Sequence, residues 1–595
     1  MKKGILQILI LVLFLEVFIF NYQSFRVLSS NNEKSFSPTE FSDYKTTENY
    51  TYVQIDNISE EVKTVHINLK NEENVDYQFF YTDETSSEFR ETASKQYVQK
   101  LEQSKYISTY LSGKSKKIAI KVYSLNAEID SITINEKIPF RFNFGRVLIL
   151  FIILSFMYCI KKCDFFKVPY SRGNYKQQIA IFLACMLFVF ITGYINLCSG
   201  NVKELNYYET DFVDALSNGK ISLDEEPSEK LGNLKNPYDV TERNKNSLKR
   251  GKDYIWDASY YNGKYYSYFG ILPALIMLVP YHLISREYMA ISMAILIFSL
   301  MTIWSLKELI LRIFERYFKD VPFKLIIYSI LIILLGSQIL LLNGRPMFYE
   351  LAVISGLFFA TTGINFLLIG IENENTKYKY IFLSSIFLSL SVACRPTMLL
   401  TSLIAMPVFI KIFIKNCKEK RNVTKTLLYI GIPYILIGGM LMFYNYIRFG
   451  SIFEFGASYQ LTVNDMLHLK NRFMTIGIGL VCNLFGIPVF TTSFPFITTN
   501  QNLLSFYGYY YIEDMIGGLF ILVPICFSIF SLPKLWKKNK NKEVCYAILT
   551  FSVVGLIICI LSIMMAGSLQ RYIIDYGWML ILARNNVICW NEKCI

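Results

Sequence analysis

Histidine is scarce in this chain. Three occur in 595 residues, His66, His282 and His468, too far apart in sequence to suggest a His-rich metal site. Twelve cysteines are present, but most sit inside apolar runs and none falls between Asn21 and Gly145. They form no paired CxxC spacing and no disulfide framework. The formal charge of +13 could suggest nucleic acid, yet the basic residues gather in short segments between apolar runs. That is the pattern of cytoplasmic loops, so the charge reports topology and no nucleic-acid partner is expected.

Apolar sequence, by contrast, is abundant. The chain is 53% hydrophobic and 16% aromatic, with a mean hydropathy of +0.33. Its repeated apolar runs approach the ~20 residues that span a bilayer. These features predict a polytopic α-helical membrane protein with about eleven or twelve transmembrane helices. The opening "MKKGILQILILVLFLEVFIFN" pairs a basic start with an apolar run from Gly4 to Phe20, about 25 Å of helix. No small-residue cleavage site follows, which predicts a retained anchor over residues 1–20 with its start inside; a cleaved signal peptide is the alternative.

Residues 21–146 change character. The segments "YTYVQI", "TVHINL", "YQFFYT", "KIAIKVYS" and "SITIN" alternate with the period of half-buried strands and predict an extracytoplasmic β-sandwich-like domain. Val147 to Ile160 returns the chain inward, and Lys161, Lys162, Lys167, Arg172 and Lys176 mark the next segment, within 147–176, as cytoplasmic. Gln178 to Cys198 then goes out.

The basic segments fix the parity of the later spans. The segment holding Lys307, Arg312, Arg316, Lys319 and Lys324 should lie inside, as should those beginning at Lys415 and Lys534. Two apolar runs separate an outside Ser267 from an inside Lys307, so one of them does not cross. Phe269 to Ser285 is the better candidate, because Pro273 and Pro280 interrupt it and tyrosines crowd its start. It is expected to be an interfacial or re-entrant helix on the outer face. Spans are then expected at Tyr288–Leu306, Leu325–Leu342, Leu351–Ile371, Tyr380–Ala393, Met398–Ile414, Leu427–Tyr446, Ile516–Leu532 and Val544–Met564. They form a core over 177–583 with outer loops at 200–287 and 448–514. By the same parity the apolar stretch "FMTIGIGLVCNLFGIPVF" is another interfacial segment. The last run begins near Tyr576 and turns polar after about eight apolar residues, too few to span. The tail 584–595 is therefore atypical, and the native chain is expected to continue beyond it.

This topology gathers charge on the outer face. "YYETDFVDALSNG", "WDASYYNGKYYSYFG", "NGRPMFYE", "CRPT", "RFGSIFEFGASYQL" and "QRYIID" each bring an acid, an arginine or both. Charges near the bilayer are costly and usually functional, which marks Arg345, Glu350, Arg395, Arg448, Glu454, Arg571 and Asp575. Each taken singly also fits a snorkelling helix end or a structural ion pair. Tyr265 and Tyr266 fit either a sugar-stacking face or an anchor at the headgroups.

An outer loop carrying aspartates, a proline-containing juxtamembrane helix and a second outer loop with Arg and Glu together resemble the GT-C superfamily of membrane glycosyltransferases. That superfamily includes protein O-mannosyltransferases and the aminoarabinose transferases of lipid A. The resemblance covers roughly Gln178 to Asp575. It is nearest to a bacterial subgroup with "WDASYYNGKYYSYFGILP"-like and "RFGSIFEFGASYQL"-like blocks. It implies a GT-C-like core in the cell membrane and an active site on the extracytoplasmic face. It also implies a polyprenyl-phosphate-linked sugar donor, a glycan, lipid or protein acceptor in the envelope, and inversion at the anomeric carbon.

In the family the acid residue lies in the first outer loop, where Glu209 and Asp211 form an E-x-D pair. The expected order of catalytic candidates is Asp211, then Asp257, with Asp214 also fitting the polar face of a short helix that Gly219 ends. Glu350 stands where the family often has a second acid. Carboxylates as the only protein ligands would suit Mg²⁺ or Mn²⁺, but metal use varies across the superfamily and the resemblance decides neither. Arg395, Arg448 and Arg571 are the phosphate candidates, Arg571 first. A flippase for lipid-linked saccharides is the alternative function. It predicts charges along a mid-bilayer path rather than at helix ends.

Overall fold

The computed structural model describes residues 2–593 except 28–32, 48–49, 71–73, 85, 93–94, 100, 125–126, 200–206, 319–320, 373–375, 421–422, 463–464, 469–472, 474, 491–496, 499–514 and 539–541. The last part of the expected outer loop 448–514 thus lies outside the described residues, as do the side chains of the tail 584–595. The chain divides into two compact units. One comprises Met1–Cys163, Ile478–Leu522 and Gly567–Gln570; the other comprises Asp164–Gly477, Val523–Ala566 and Arg571–Ile595.

In the first unit, Lys2–Phe14 is helical and Leu15–Phe20 continues it as a π-helical stretch. Ten strands follow: β1 (Lys34–Phe36), β2 (Asp43–Thr46), β3 (Thr51–Ile55), β4 (Thr64–Leu69), β5 (Val75–Asp83), β6 (Ser86–Glu91), β7 (Lys95–Tyr97), β8 (Tyr106–Ser108), β9 (Ile118–Tyr123) and β10 (Ile129–Ile134). One sheet runs β1-β10-β4-β8. The other runs β2-β3-β9-β5-β6, with β7 also on β5. All five alternating segments of the sequence are strands (β3, β4, β5, β9 and β10). In β3, Thr51, Val53 and Ile55 are buried while Tyr52 and Gln54 are not, the alternation a half-covered sheet requires. Val53, Ile67, Phe79, Ile120 and Ile132 from both sheets share one apolar core, each contributing about 1.5–3 kcal/mol of burial.

The Phe144–Lys162 helix packs against the N-terminal helix through a buried ion pair. Arg146 donates to both oxygens of Glu16, from Nε at 2.7 Å and from Nη2 at 2.6 Å. The backbone N–H of Asn143 also donates to Glu16 Oε1, at 2.8 Å.

Among the described residues nine helices are long and apolar enough to cross a membrane. The architecture is that of a polytopic helical membrane protein with an N-terminal strand-rich domain. Several expected boundaries shift. The Ile291–Tyr317 helix has 27 residues, about 40 Å, and carries Lys307, Arg312 and Arg316 within its final turns rather than in a loop. Glu308 sits 2.8 Å from Lys307 and 3.8 Å from Arg312, so local ion pairs let the helix run on. The run Ile516–Leu532 is not one helix: Leu519–Leu522 is helical, Pro524–Ser531 forms 3-10 turns and Leu532–Lys538 follows. Pro524 lacks the N–H that a continuous helix needs there. At the C-terminus, Ile573–Lys593 is a 21-residue helix that continues through the polar residues.

The stretch after Phe269 is short. A π-helical turn, Ala274–Leu278, leads into the Val279–Ser285 helix, which Arg286 ends in the left-handed region (φ 62). Twelve helical residues over Ala274–Ser285 extend about 18 Å, short of the ~30 Å hydrocarbon core.

Candidate active site

The site lies within the second unit, where the two tyrosine- and glycine-containing blocks singled out by sequence form one assembly. β11 (Ser259–Tyr261) and β12 (Lys264–Tyr266) make a hairpin. Its two-residue turn, Asn262 (φ 48) and Gly263 (φ 72), has the left-handed geometry of a type I′ turn. The second block docks along it. Leu461 N donates to Ala258 O at 2.9 Å, Asp257 N to Leu461 O at 3.1 Å, and Ser259 Oγ to Gly456 O at 2.8 Å. Rings seal the contact, with Tyr261 4.6 Å from Tyr459 and Tyr266 5.4 Å from Phe449.

This docking accounts for several sequence candidates. Arg448 donates from Nη1 to Ser267 O at 2.6 Å and from Nη2 to Asn445 Oδ1 at 2.9 Å, and stacks 3.8 Å over Tyr444. It anchors the hairpin. Glu454 Oε1 accepts from Gly456 N at 2.6 Å and shapes its own turn. The Tyr265 and Tyr266 rings are buried in the hairpin's packing, so neither offers an open face. Arg345 is exposed in the turn before the Phe348–Gly370 helix.

The other charges converge at helix ends. Glu350 lies in the first turn of the Phe348–Gly370 helix and Asp575 in the first turn of the Ile573–Lys593 helix. Arg395 follows the last residue of the Tyr378–Cys394 helix. These signs match the helix dipoles, acids at N-termini and a cation at a C-terminus. Arg395 Nη2 is 2.9 Å from Asp575 Oδ2, and Arg571 Nη1 is 4.0 Å from Glu350 Oε1. Tyr572 lies beneath both guanidiniums, 4.7 Å from Arg395 and 5.4 Å from Arg571, and Tyr349 sits 4.5 Å from Arg571. Phe269 wedges beside this frame, 4.9 Å from Tyr349. The next residue, Gly270, passes so close to the Cys394 carbonyl that an added Cβ would collide with it.

The acids of the first outer loop have separate fates. Asp211, in the Tyr207–Ser217 helix, accepts from the backbone N–H groups of Asp224 (3.0 Å) and Glu225 (3.3 Å). It folds the following loop back onto the helix. Burial, followed by the nearby Asp211, raises the Glu225 carboxyl above its ordinary range. Asp214 accepts from Tyr288 Oη at 2.7 Å on both oxygens, and His282 Nε2 lies 3.5 Å away. Glu209 is buried and shares a helix face with Phe212. The Phe212 ring meets Phe348, two residues before Glu350, at 5.9 Å.

Asp257 is the remaining acid. It is 8% exposed, adopts φ 61, and accepts from Gln460 Nε2 at 3.1 Å. Burial raises its carboxyl above the ordinary value. Hydrogen bonds from Thr462 and Gln460 and the fields of Arg250 and Arg571 pull the other way. Among the described residues no three His, Cys, Asp or Glu side chains converge as a metal-ligand set, and Glu350 faces a guanidinium.

The structure thus brings together Glu350, Arg395, Arg571 and Asp575, with Asp257 within electrostatic reach of Arg571. It holds Asp211, Asp214, Arg448 and Glu454 in local supporting bonds. Sequence reasoning missed Tyr349, Tyr572, Phe269, Gly270 and Gln460. The first two adjoin Glu350 and Arg571 in "MFYE" and "QRYIID", so adjacency was the available signal.

No family model and no curated protein matches the chain. It is similar to the solved structure of the Archaeoglobus fulgidus oligosaccharyltransferase in its apo form, with a TM-score of 0.33 and 14% identity over 68% of this chain and 50% of that one. The chain therefore spans half the length of that structure. Fold and site define a class: a polytopic membrane protein with paired arginines and carboxylates at converging helix ends.

Proposed function

We propose that this protein is a glycosyltransferase that moves a sugar from a polyprenyl-phosphate-linked donor to a cell-envelope acceptor on the outer face of the membrane. The observation that carries the reading is the Arg395–Asp575 and Arg571–Glu350 cluster, aromatic-framed, with the buried Asp257 in the field of Arg571. All four charges stand at helix ends. A flippase path would instead line mid-helix positions.

A phosphate leaving group needs fixed positive charge, and the arginine fork suits its oxygens. Arg571 is the contact residue, because its guanidinium stands between the Tyr349 and Tyr572 rings and its field reaches Asp257. Arg395, held by Asp575, adds charge without moving. Asp257 takes the acceptor hydroxyl's proton as that oxygen attacks the anomeric carbon. The bond from the anomeric carbon to the phosphate oxygen breaks, the lipid phosphate leaves with its electron pair, and the configuration inverts. Asp211 acts by holding the 224–225 backbone, and Glu209 and Glu350 contact the substrate.

The test is binding of a polyprenyl phosphate to the purified protein. Arg571→Ala should weaken it at least about tenfold, as loss of one charge-assisted hydrogen bond predicts, with Arg571→Lys between. Unchanged affinity in Arg571→Ala would contradict the reading.

A further inference from the structure

A second set of cations lies at the opposite end of the bundle. The Tyr378–Cys394 helix has 17 residues, so its start is about 26 Å from Arg395. There it packs against the Val423–Phe449 helix, and the two leave a cleft of about 460 Å³ lined by Lys379, Phe382, Leu428, Tyr429 and Ile432. The floor is aromatic: Tyr429 lies 5.4 Å from Phe382 and 6.0 Å from Tyr378. Lys425 sits over the rim, 5.1 Å from the Tyr378 ring and 5.7 Å from the Tyr429 ring.

Among the described residues the charge of this rim has no acidic counterpart. Of the neighbouring acids, Glu372 pairs with Lys377 at 3.0 Å and Glu419 faces Lys415 at 4.0 Å. Among the described residues neither Lys379 nor Lys425 has an acidic partner, and both are exposed. Leu428 and Ile432 are 47% and 38% exposed on the cleft's wall. An apolar slot capped by two ammonium groups with no acidic partner among the described residues, and by two tyrosines, matches a molecule with an acyl chain and an anionic head. It does not match a free ion, which would leave the slot unused.

We infer that the cleft between the Tyr378–Cys394 and Val423–Phe449 helices binds one anionic phospholipid. An acyl chain lies along Phe382, Leu428 and Ile432, and the headgroup phosphate lies between Lys379 and Lys425. The distribution of Lys and Arg along the chain assigns this end to the cytoplasmic leaflet, where basic pockets between helices take anionic lipids. The site is independent of the one proposed for sugar transfer.

Native mass spectrometry of the full chain in non-ionic detergent tests this, with phosphatidylglycerol and phosphatidylcholine of matched acyl chains. Wild type should retain phosphatidylglycerol over phosphatidylcholine. Lys379→Gln/Lys425→Gln should weaken phosphatidylglycerol about thirtyfold, from roughly fivefold per lysine. Leu428→Trp, which fills the slot and leaves the charges, should also displace it. Inorganic phosphate at millimolar concentration should not compete. Equal retention of the two lipids, retention unchanged in either variant, or displacement by phosphate alone would overturn the inference.

Discussion

Arg395 Nη2 stands 2.9 Å from Asp575 Oδ2, and the Asp575 side chain has no exposed surface. Removing one partner of such a pair leaves the other charge without compensation. Replacing Asp575 by Asn leaves the half-buried Arg395 guanidinium, 17% exposed, uncompensated and should cost at most about 3 kcal/mol, the low end for a fully buried pair, read as a lower thermal midpoint in detergent. Arg395→Gln/Asp575→Asn should be less destabilised than the sum of the single variants.

Gly270 offers a test that touches no charge. A methyl group there collides with the Cys394 carbonyl, next to Arg395, and must push the Phe269 segment or the helix end aside. Gly270→Ala should raise the donor KM at least about tenfold, by displacing groups that must be placed within about an ångström. Gly263→Ala, at a turn tip where an added Cβ meets nothing within 4 Å, should cost stability through its positive φ but leave the donor KM unchanged.

Asp257 predicts the pH profile. Its carboxyl is raised by burial, so its proton is lost above the usual carboxylate range of ~3.9. A base must be ionised, so kcat/KM should fall as pH drops through that raised value. The fold should respond with the opposite sign: burial favours the protonated form, so stability declines as pH rises through the same value. Asp257→Asn should abolish the acidic limb, and Asp257→Glu should restore part of it.

In the first unit, Glu16 is fully buried and Arg146 is 3% exposed. Glu16→Leu strands Arg146 in apolar surroundings and should destabilise the packing of the first helix by about 3–5 kcal/mol, seen as protease sensitivity near Tyr22. Glu16→Leu/Arg146→Leu should recover most of it.

Local pattern made much of the architecture legible. Alternation in "TYVQI" and "TVHINL" marks strands because one face of each is covered, and the apolar runs mark spans because length and composition suffice. Boundaries failed where side chains compensate for one another: Glu308 lets a helix carry Lys307 and Arg312, and Pro524 breaks a run whose hydropathy alone looks continuous. The charges of the site were visible one at a time, since Arg395, Arg571, Glu350 and Asp575 interrupt apolar sequence. Their pairing was not, because it is set by how distant helices end beside one another. Asp211 led the candidates by position. Its bonds to the 224–225 backbone depend on a loop path that no periodicity encodes. The Asn-Gly of "YNGK" is a local hairpin signal, and it forms the β11–β12 turn.

Sugar transfer with Asp257 as the base can be measured outright. The direct measurement uses proteoliposomes, a panel of labelled polyprenyl-phosphate sugars and envelope acceptors, and compares wild type, Asp257→Asn and Asp211→Asn at matched folded protein. Transfer by wild type, a loss of about 10²–10⁴-fold in kcat for Asp257→Asn, and a smaller loss with lowered stability for Asp211→Asn is the predicted result. Full transfer by Asp257→Asn, or no transfer by folded wild type from any donor in the panel, would contradict it.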